Sequence, residues 1–178
     1  MIGKLSAAQL ADFTEFAQAR QKHLMRTAYL LSGNKQAAED LTQTALLNLC
    51  RAWVRVQRAD SIDSYAHRVL INAFLSQQRK AERERKAYRN QASDPSTAER
   101  SEGRSQDTDL RLTLLGALDQ LPPKARAVVV LRFWEDLSVE ATAAALGCSQ
   151  GNVKSQSSRA LAKLRTLLGD SCFDFERA

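Results

Sequence analysis

Between Ser149 and Leu168 the chain sets hydrogen-bonding and positive side chains at a spacing suited to reading DNA. Lys154, Ser155, Ser158 and Arg159 fall within two helical turns, Lys163 and Arg165 follow, and no Asp or Glu interrupts them. Small polar residues near a helix N-terminus can approach base edges in a major groove, while cations beyond them hold phosphates. That is recognition chemistry rather than bond-making. Two helices joined by a glycine turn also occur in helical proteins that never meet DNA, so this segment alone leaves both readings open.

The elements that must position these residues are legible from capping and periodicity. Ser138 can cap a short helix with Val139, Thr142, Ala143 and Leu146 on one face, and Glu140 in its first turn suits the helix dipole. Gly147 follows, where a left-handed C-cap is cheapest for glycine. Ser149 then caps a second helix whose inner stripe reads Val153, Ser157, Ala160, Leu161, Leu164 and Leu168. Upstream, Leu121-Pro122-Pro123 breaks a helix, and a new one is expected from Lys124 to Glu135.

Further upstream three apolar stripes predict three helices. Phe13, Phe16, Ala17, Leu24, Ala28 and Leu31 form the first, ended near Gly33. Ala38, Leu41, Ala45, Leu49, Ala52, Trp53 and Val56 form the second, and Ile62, Tyr65, Ala66, Val69, Leu70 and Ala73 the third. The second helix turns Asp40, Gln43, Leu47 and Arg51 outward, an exposed leucine among hydrogen-bonding groups. One exposed leucine is ordinary, but such a face is also how a helix docks on a partner. The expected fold class is all-α: two small helical domains, residues 11–88 and 109–168, joined by a flexible linker over 89–108 and followed by a short tail, 169–178. The linker is polar and mixed toward acid, with Asp94, Glu99, Glu102 and Asp107 against Arg100 and Arg104, directly after the basic run Arg79 to Arg89.

Composition narrows the classes. With 7 Gly and 3 Pro in 178 residues, turn-rich β architecture is disfavoured. A net charge of +6 and a pI ≈ 9.5 suit a polyanionic partner. Cys50, Cys148 and Cys172 are odd in number and far apart, and His23 and His67 stand alone, so spacing suggests neither zinc nor a disulfide framework, and no metal or cofactor is expected. Cys148 reads as a core residue. No signal peptide is read at the N-terminus, and no apolar run approaches the ~18 residues that span a bilayer, so a cytoplasmic protein without membrane insertion is expected.

Three segments in order carry a family resemblance. Ala38-Glu39-Asp40-Leu41-Thr42-Gln43-Thr44-Ala45, then Tyr65-Ala66-His67-Arg68-Val69-Leu70-Ile71-Asn72-Ala73 through Arg79-Lys80, then Leu121-Pro122-Pro123-Lys124-Ala125-Arg126 onward to Val153-Lys154-Ser155-Gln156-Ser157-Ser158-Arg159-Ala160-Leu161 resemble the extracytoplasmic-function sigma factors of bacterial RNA polymerase. The last run is most similar to the actinobacterial SigE-like subfamily. The resemblance implies that Asp40, Leu41 and Gln43, with Leu47 beside them, bind core polymerase through its β′ and β subunits. It implies that Tyr65, Arg68, Asn72, Arg79, Lys80 and Arg83 engage the −10 promoter element, Asn72 at a base flipped from the duplex. Lys154, Ser155, Ser158 and Arg159 would approach the −35 element, and the linker would thread the RNA exit path. Promoter DNA and an anti-sigma factor are the further partners it brings.

The chain departs from the family pattern in places: Tyr65 stands where tryptophan is frequent, Ser76 or Gln77 where an aspartate often follows the asparagine, and Gln156 where arginine is frequent. These bear on promoter sequence rather than class. The alternative is a stand-alone helix-turn-helix repressor or activator, which would bind intact operator duplex by itself, usually as a dimer. An enzyme finds no support, since no nucleophile–base pair, Gly-rich phosphate loop or metal cluster is visible in the sequence.

Overall fold

A computed structural model of the chain describes residues 5–89 and 106–169, and every regular element among them is helical. Ser6 opens α1 (Ala7–Ser32) with a reciprocal capping box to Gln9, and Gly33 closes it at φ 79°. Asn34 caps α2 (Lys35–Arg51), which runs through Ala52 into the single turn α3 (Trp53–Val56). The long α4 spans Ile62–Arg89. Next among the described residues come α5 (Gln106–Asp119) and α6 (Pro123–Val129), the latter begun by a proline where the missing donor costs nothing. Then α7 (Val139–Leu146) and α8 (Gln150–Leu168) form the helix-turn-helix, with Ser138 and Ser149 as caps and Gly147 at φ 63°.

Helices α1 to α4 make a first lobe. Its core sets Leu24, Ala28 and Leu31 against Leu41, Ala45 and Leu49, and closes them with Leu70, Ile71 and Phe74. Trp53 sits beneath, its ring 5.2 Å from those of Phe13 and Phe16. Helices α5 to α8 make a second lobe around Leu118, Leu121, Ala125, Ala160 and Leu164, with Val128, Ala143 and Val153 closing the turn between α7 and α8. Cys148 packs partly buried against that last group. The stripes read from the sequence are thus the buried stripes.

One expectation needs correction, and one contact was not foreseen. The two lobes share buried residues: Ala127, Val130, Leu131 and Ala145 of the second belong to the same buried cluster as the core of the first. The helix expected from Lys124 to Glu135 keeps α-geometry only to Val129 and widens into a π-turn over Val130–Trp134, where the N–H of Glu135 bonds the carbonyl of Val130. Arg89 ends α4 and Gln106 begins α5; the rest of the expected linker lies outside the described residues, as does the tail beyond Gly169.

Arg126 ties the lobes and the elements around Leu121 together. It is 6 % exposed, and its guanidinium donates to the Leu31 carbonyl at 2.8 Å, the Asp119 carbonyl at 2.8 Å and the Asp119 carboxylate at 3.0 Å. Burial holds its pKa below the usual arginine value, and the Asp119 carboxylate works the other way. The Leu31 carbonyl belongs to the last turn of α1, where a cation meets the negative end of the dipole. Arg126→Met removes the charge and leaves these acceptors without a donor. It is expected to lower stability by ~3 kcal/mol in urea unfolding; a loss under ~1 kcal/mol would show that water replaces the guanidinium.

Candidate nucleic-acid interface

Helix α4 carries Tyr65, Arg68, Asn72, Arg79 and Arg83 on one stripe, because their separations of three, four and seven residues return to the same face. Tyr65 is half-buried, and the others are exposed, as is Lys80 beside them. The buried residues Ala66, Leu70, Ile71, Ala73 and Phe74 hold the opposite face against the core. Arg79 and Arg83 fold their Nε back onto the carbonyls of Leu75 and Arg79, each at 3.2 Å, and Lys80 pairs loosely with Glu84 at 3.9 Å. Such exposed pairs are weak and exchange readily for phosphate.

Helix α8 is held from below by Val153, Ala160 and Leu164 and presents Lys154, Ser155, Ser158 and Arg159 to solvent. Lys163 reaches across to the carbonyl of Gln120 at 2.5 Å. The structure therefore places every residue expected to touch DNA at an accessible position. It also brings three of them, Asn72, Arg79 and Arg159, unexpectedly to one cleft. Asn72, Arg79, Arg85 and Lys86 of α4 and Arg159 and Lys163 of α8 line one cleft of 1120 Å³, with Lys124 adding charge and Glu82 the lone acid among the described residues that line it. Arg68 donates to the carbonyl of Ala144 in α7 at 2.9 Å, so one cation of the α4 stripe is engaged by the other lobe.

The outward face of α2 holds Asp40, Gln43 and Leu47, all exposed, with Leu47 at 49 %. Gln36 donates to Asp40 at 3.4 Å and otherwise the face is open to solvent on the described surface. Leu41 is a correction. It is fully buried among Leu31, Ala45 and Leu70, since it follows Asp40 by one residue and so points a quarter-turn and more away. It supports the face from beneath and is not free to meet a partner.

Sequence reasoning missed two groups. Phe133 and Trp134 are about half exposed, at 48 % and 47 %, because the π-turn rotates them out of the stripe that an α-helix would have buried. The same turn aims Glu135 inward. Its side chain is 2 % exposed and meets His23 Nε2 at 2.7 Å and His67 Nε2 at 2.9 Å, both on Oε2, while Thr27 donates to Oε1. Burial alone would raise the carboxyl pKa, but the hydrogen bonds from His67, Thr27 and His23 outweigh it and hold it at about 2. Residues 23, 67 and 135 lie too far apart for any spacing rule to join them; only a glutamate at the end of an apolar helix offered a hint.

Comparison with known proteins gives these faces a context. Residues 16–84 match the family described as sigma-70 region 2, and residues 111–164 that described as sigma-70, region 4. The chain is 39 % identical over 161 residues to the RNA polymerase sigma-E factor of Streptomyces avermitilis, covering 90 % of this chain and 87 % of that one. It is 35 % identical over 163 residues to the ECF RNA polymerase sigma factor SigE of Mycolicibacterium smegmatis, covering 90 % and 63 %. Its fold resembles that of the sigma factor RpoE of Bartonella quintana, solved in complex with the anti-sigma factor NepR, at a TM-score of 0.66 and 29 % identity over 88 % of this chain and 96 % of that one.

The two leucines of α2 separate support from docking. Leu41→Ala is expected to cost ~2–5 kcal/mol in urea unfolding, and Leu47→Ala to stay within ~0.5 kcal/mol. Equal losses at the two positions would mean that the face has been assigned wrongly.

Proposed function

The chain belongs to the extracytoplasmic-function sigma factors, the promoter-specificity subunits of RNA polymerase, and we propose how its faces divide that work. The family brings no chemistry of its own to the reaction; polymerase supplies it. Asp40, Gln43 and Leu47 dock on core polymerase, with the apolar leucine as anchor and the two polar groups around it. The half-exposed Phe133 and Trp134 offer a second apolar contact in the other lobe.

The α4 stripe serves the −10 element. Asn72 stands exposed at its middle, where it can hydrogen-bond the edge of an extruded base, and Tyr65 can stack on a neighbour. Arg68, Arg79, Lys80 and Arg83 hold phosphates of the same strand. In the second lobe Ser155, Ser158 and Arg159 approach base edges of the −35 element while Lys154 holds backbone. Residues 11–88 and 109–168 are taken as the two working units. Because its partners are polymerase and chromosomal DNA, the chain works in the cytoplasm, and no helix among the described residues is long and apolar enough to cross a membrane. An anti-sigma factor is a fitting partner, since the related RpoE was solved with one.

One observation carries the mechanism: Asn72 and Arg79 of the α4 stripe and Arg159 of the α8 face line one and the same cleft. Elements that follow one another along a duplex need readers set side by side along its axis, not opposed. The closed chain therefore has to part its lobes before both elements are read, and binding to two separated sites on polymerase does that work. Fixing the two weak DNA contacts in one geometry then raises apparent affinity without any new contact.

Two experiments test this reading. Asp40→Ala with Gln43→Ala is expected to weaken association with core polymerase by ~1–3 kcal/mol without loss of folding; unchanged co-elution and transcription would remove these residues from the docking face. Footprinting near physiological salt should show no specific protection by the isolated full-length chain, and clear protection with strand opening once core is added. A promoter footprint from the chain alone would favour the stand-alone regulator.

A further inference from the structure

His23 from α1, His67 from α4 and Glu135 from the end of the π-turn meet where the lobes join, and their ligand atoms lie within 4.8 Å of one another. We propose that these three side chains form an inter-lobe site for a zinc-class divalent cation, with water as a fourth ligand. Two imidazole nitrogens and a carboxylate oxygen make a donor set that zinc accepts with one position left open. Magnesium and calcium, which ask for oxygen throughout, do not suit it.

The geometry is close to what such an ion needs. Bonds of ~2.0–2.1 Å at tetrahedral angles put neighbouring donors roughly 3.3 Å apart. The two nitrogens now stand 2.7 and 2.9 Å from the same carboxylate oxygen and within 4.8 Å of one another, so each must move off the oxygen by about half an ångström while the pair settles at the same roughly 3.3 Å spacing. His23 can give way, because its side chain is 43 % exposed, and that exposure also supplies an entry path and room for the water. Thr27 holds the other carboxylate oxygen, which fixes the ligand's direction in the manner of an outer-shell partner.

His67 Nδ1 is buried with no partner among the described residues. The outer shell is therefore built on the glutamate side only, which points to affinity in the micromolar rather than the nanomolar range. The ligands come from both lobes, so the ion would fasten the closed arrangement that the shared core already favours. Sequence spacing argued against zinc because the ligands are separated by 44 and 68 residues; the fold removes that objection.

The test uses the full-length chain, stripped of metal and titrated with zinc chloride by calorimetry, beside His23→Ala and Glu135→Gln. The wild type should bind one equivalent and gain thermal stability from it, and both variants, which each remove a direct ligand, should lose at least the ~10–100-fold in zinc affinity that loss of an outer-shell partner costs. Magnesium chloride should produce no shift. His23→Ala, at the exposed edge, keeps the test decisive if Glu135→Gln fails to fold; unchanged circular dichroism checks that it has kept the fold. Equal zinc affinity in wild type and His23→Ala, no binding at micromolar zinc, or an equal response to magnesium would each overturn the site. Neither DNA nor polymerase enters the measurement, so its failure would leave the promoter-reading assignment untouched.

Discussion

The closed arrangement depends on one buried carboxylate. Glu135 is ionised in a place that water scarcely reaches, and an unpaired charge there would cost several kcal/mol. It survives because Thr27 and His23 from α1 and His67 from α4 all converge on it. That convergence fixes how the π-turn sits on the first lobe, and with it the position of α6 and α7. Arg126 repeats the device with opposite sign, a buried guanidinium given acceptors at the end of α1 and the end of α5. Between these two charged anchors the apolar residues Ala127, Val130 and Leu131 complete the core of the first lobe.

An interface fastened by buried charges opens differently from one that is apolar throughout. When the lobes part, Val130 and Leu131 lose burial at an ordinary hydrophobic cost. Glu135 instead regains hydration, and Arg126 exchanges the Leu31 carbonyl for water while keeping Asp119, which returns part of the penalty carried when closed. The charged anchors therefore specify register more than they add net adhesion. That suits a chain that has to close in one way only and still open when partners take hold of both lobes. In the proposed cycle polymerase provides that grip, through α2 on one side and the second lobe on the other.

The cleft between α4 and α8 follows from the same register. Both helices turn their apolar faces to their own lobes, so their basic faces are left to meet across the gap. Like charges crowded there oppose closure, and Glu82 only partly balances them. Closure thus stores electrostatic repulsion between the surfaces that DNA neutralises. Salt screens that repulsion and weakens phosphate binding alike, so both effects make the free chain less ready to hold DNA as ionic strength rises.

What the sequence by itself determined is local. Ser138, Gly147 and Ser149 place the helix-turn-helix, because caps and a left-handed glycine act within a few residues. The stripes through Ala38 to Val56 and through Val153 to Leu164 assign inner and outer faces, because 3.6-residue periodicity needs no knowledge of the partner helix. The same periodicity should have removed Leu41 from the docking face, and only the family motif kept it there. What the tertiary structure alone decided is everything between the lobes. The widening of a helix into a π-turn at Val130 leaves no mark in apolar spacing, yet it turns Phe133 and Trp134 outward and Glu135 inward. His23, His67 and Glu135 carry no mutual signal across 112 residues of chain, since a hydrogen bond depends on distance in space and not on distance in sequence.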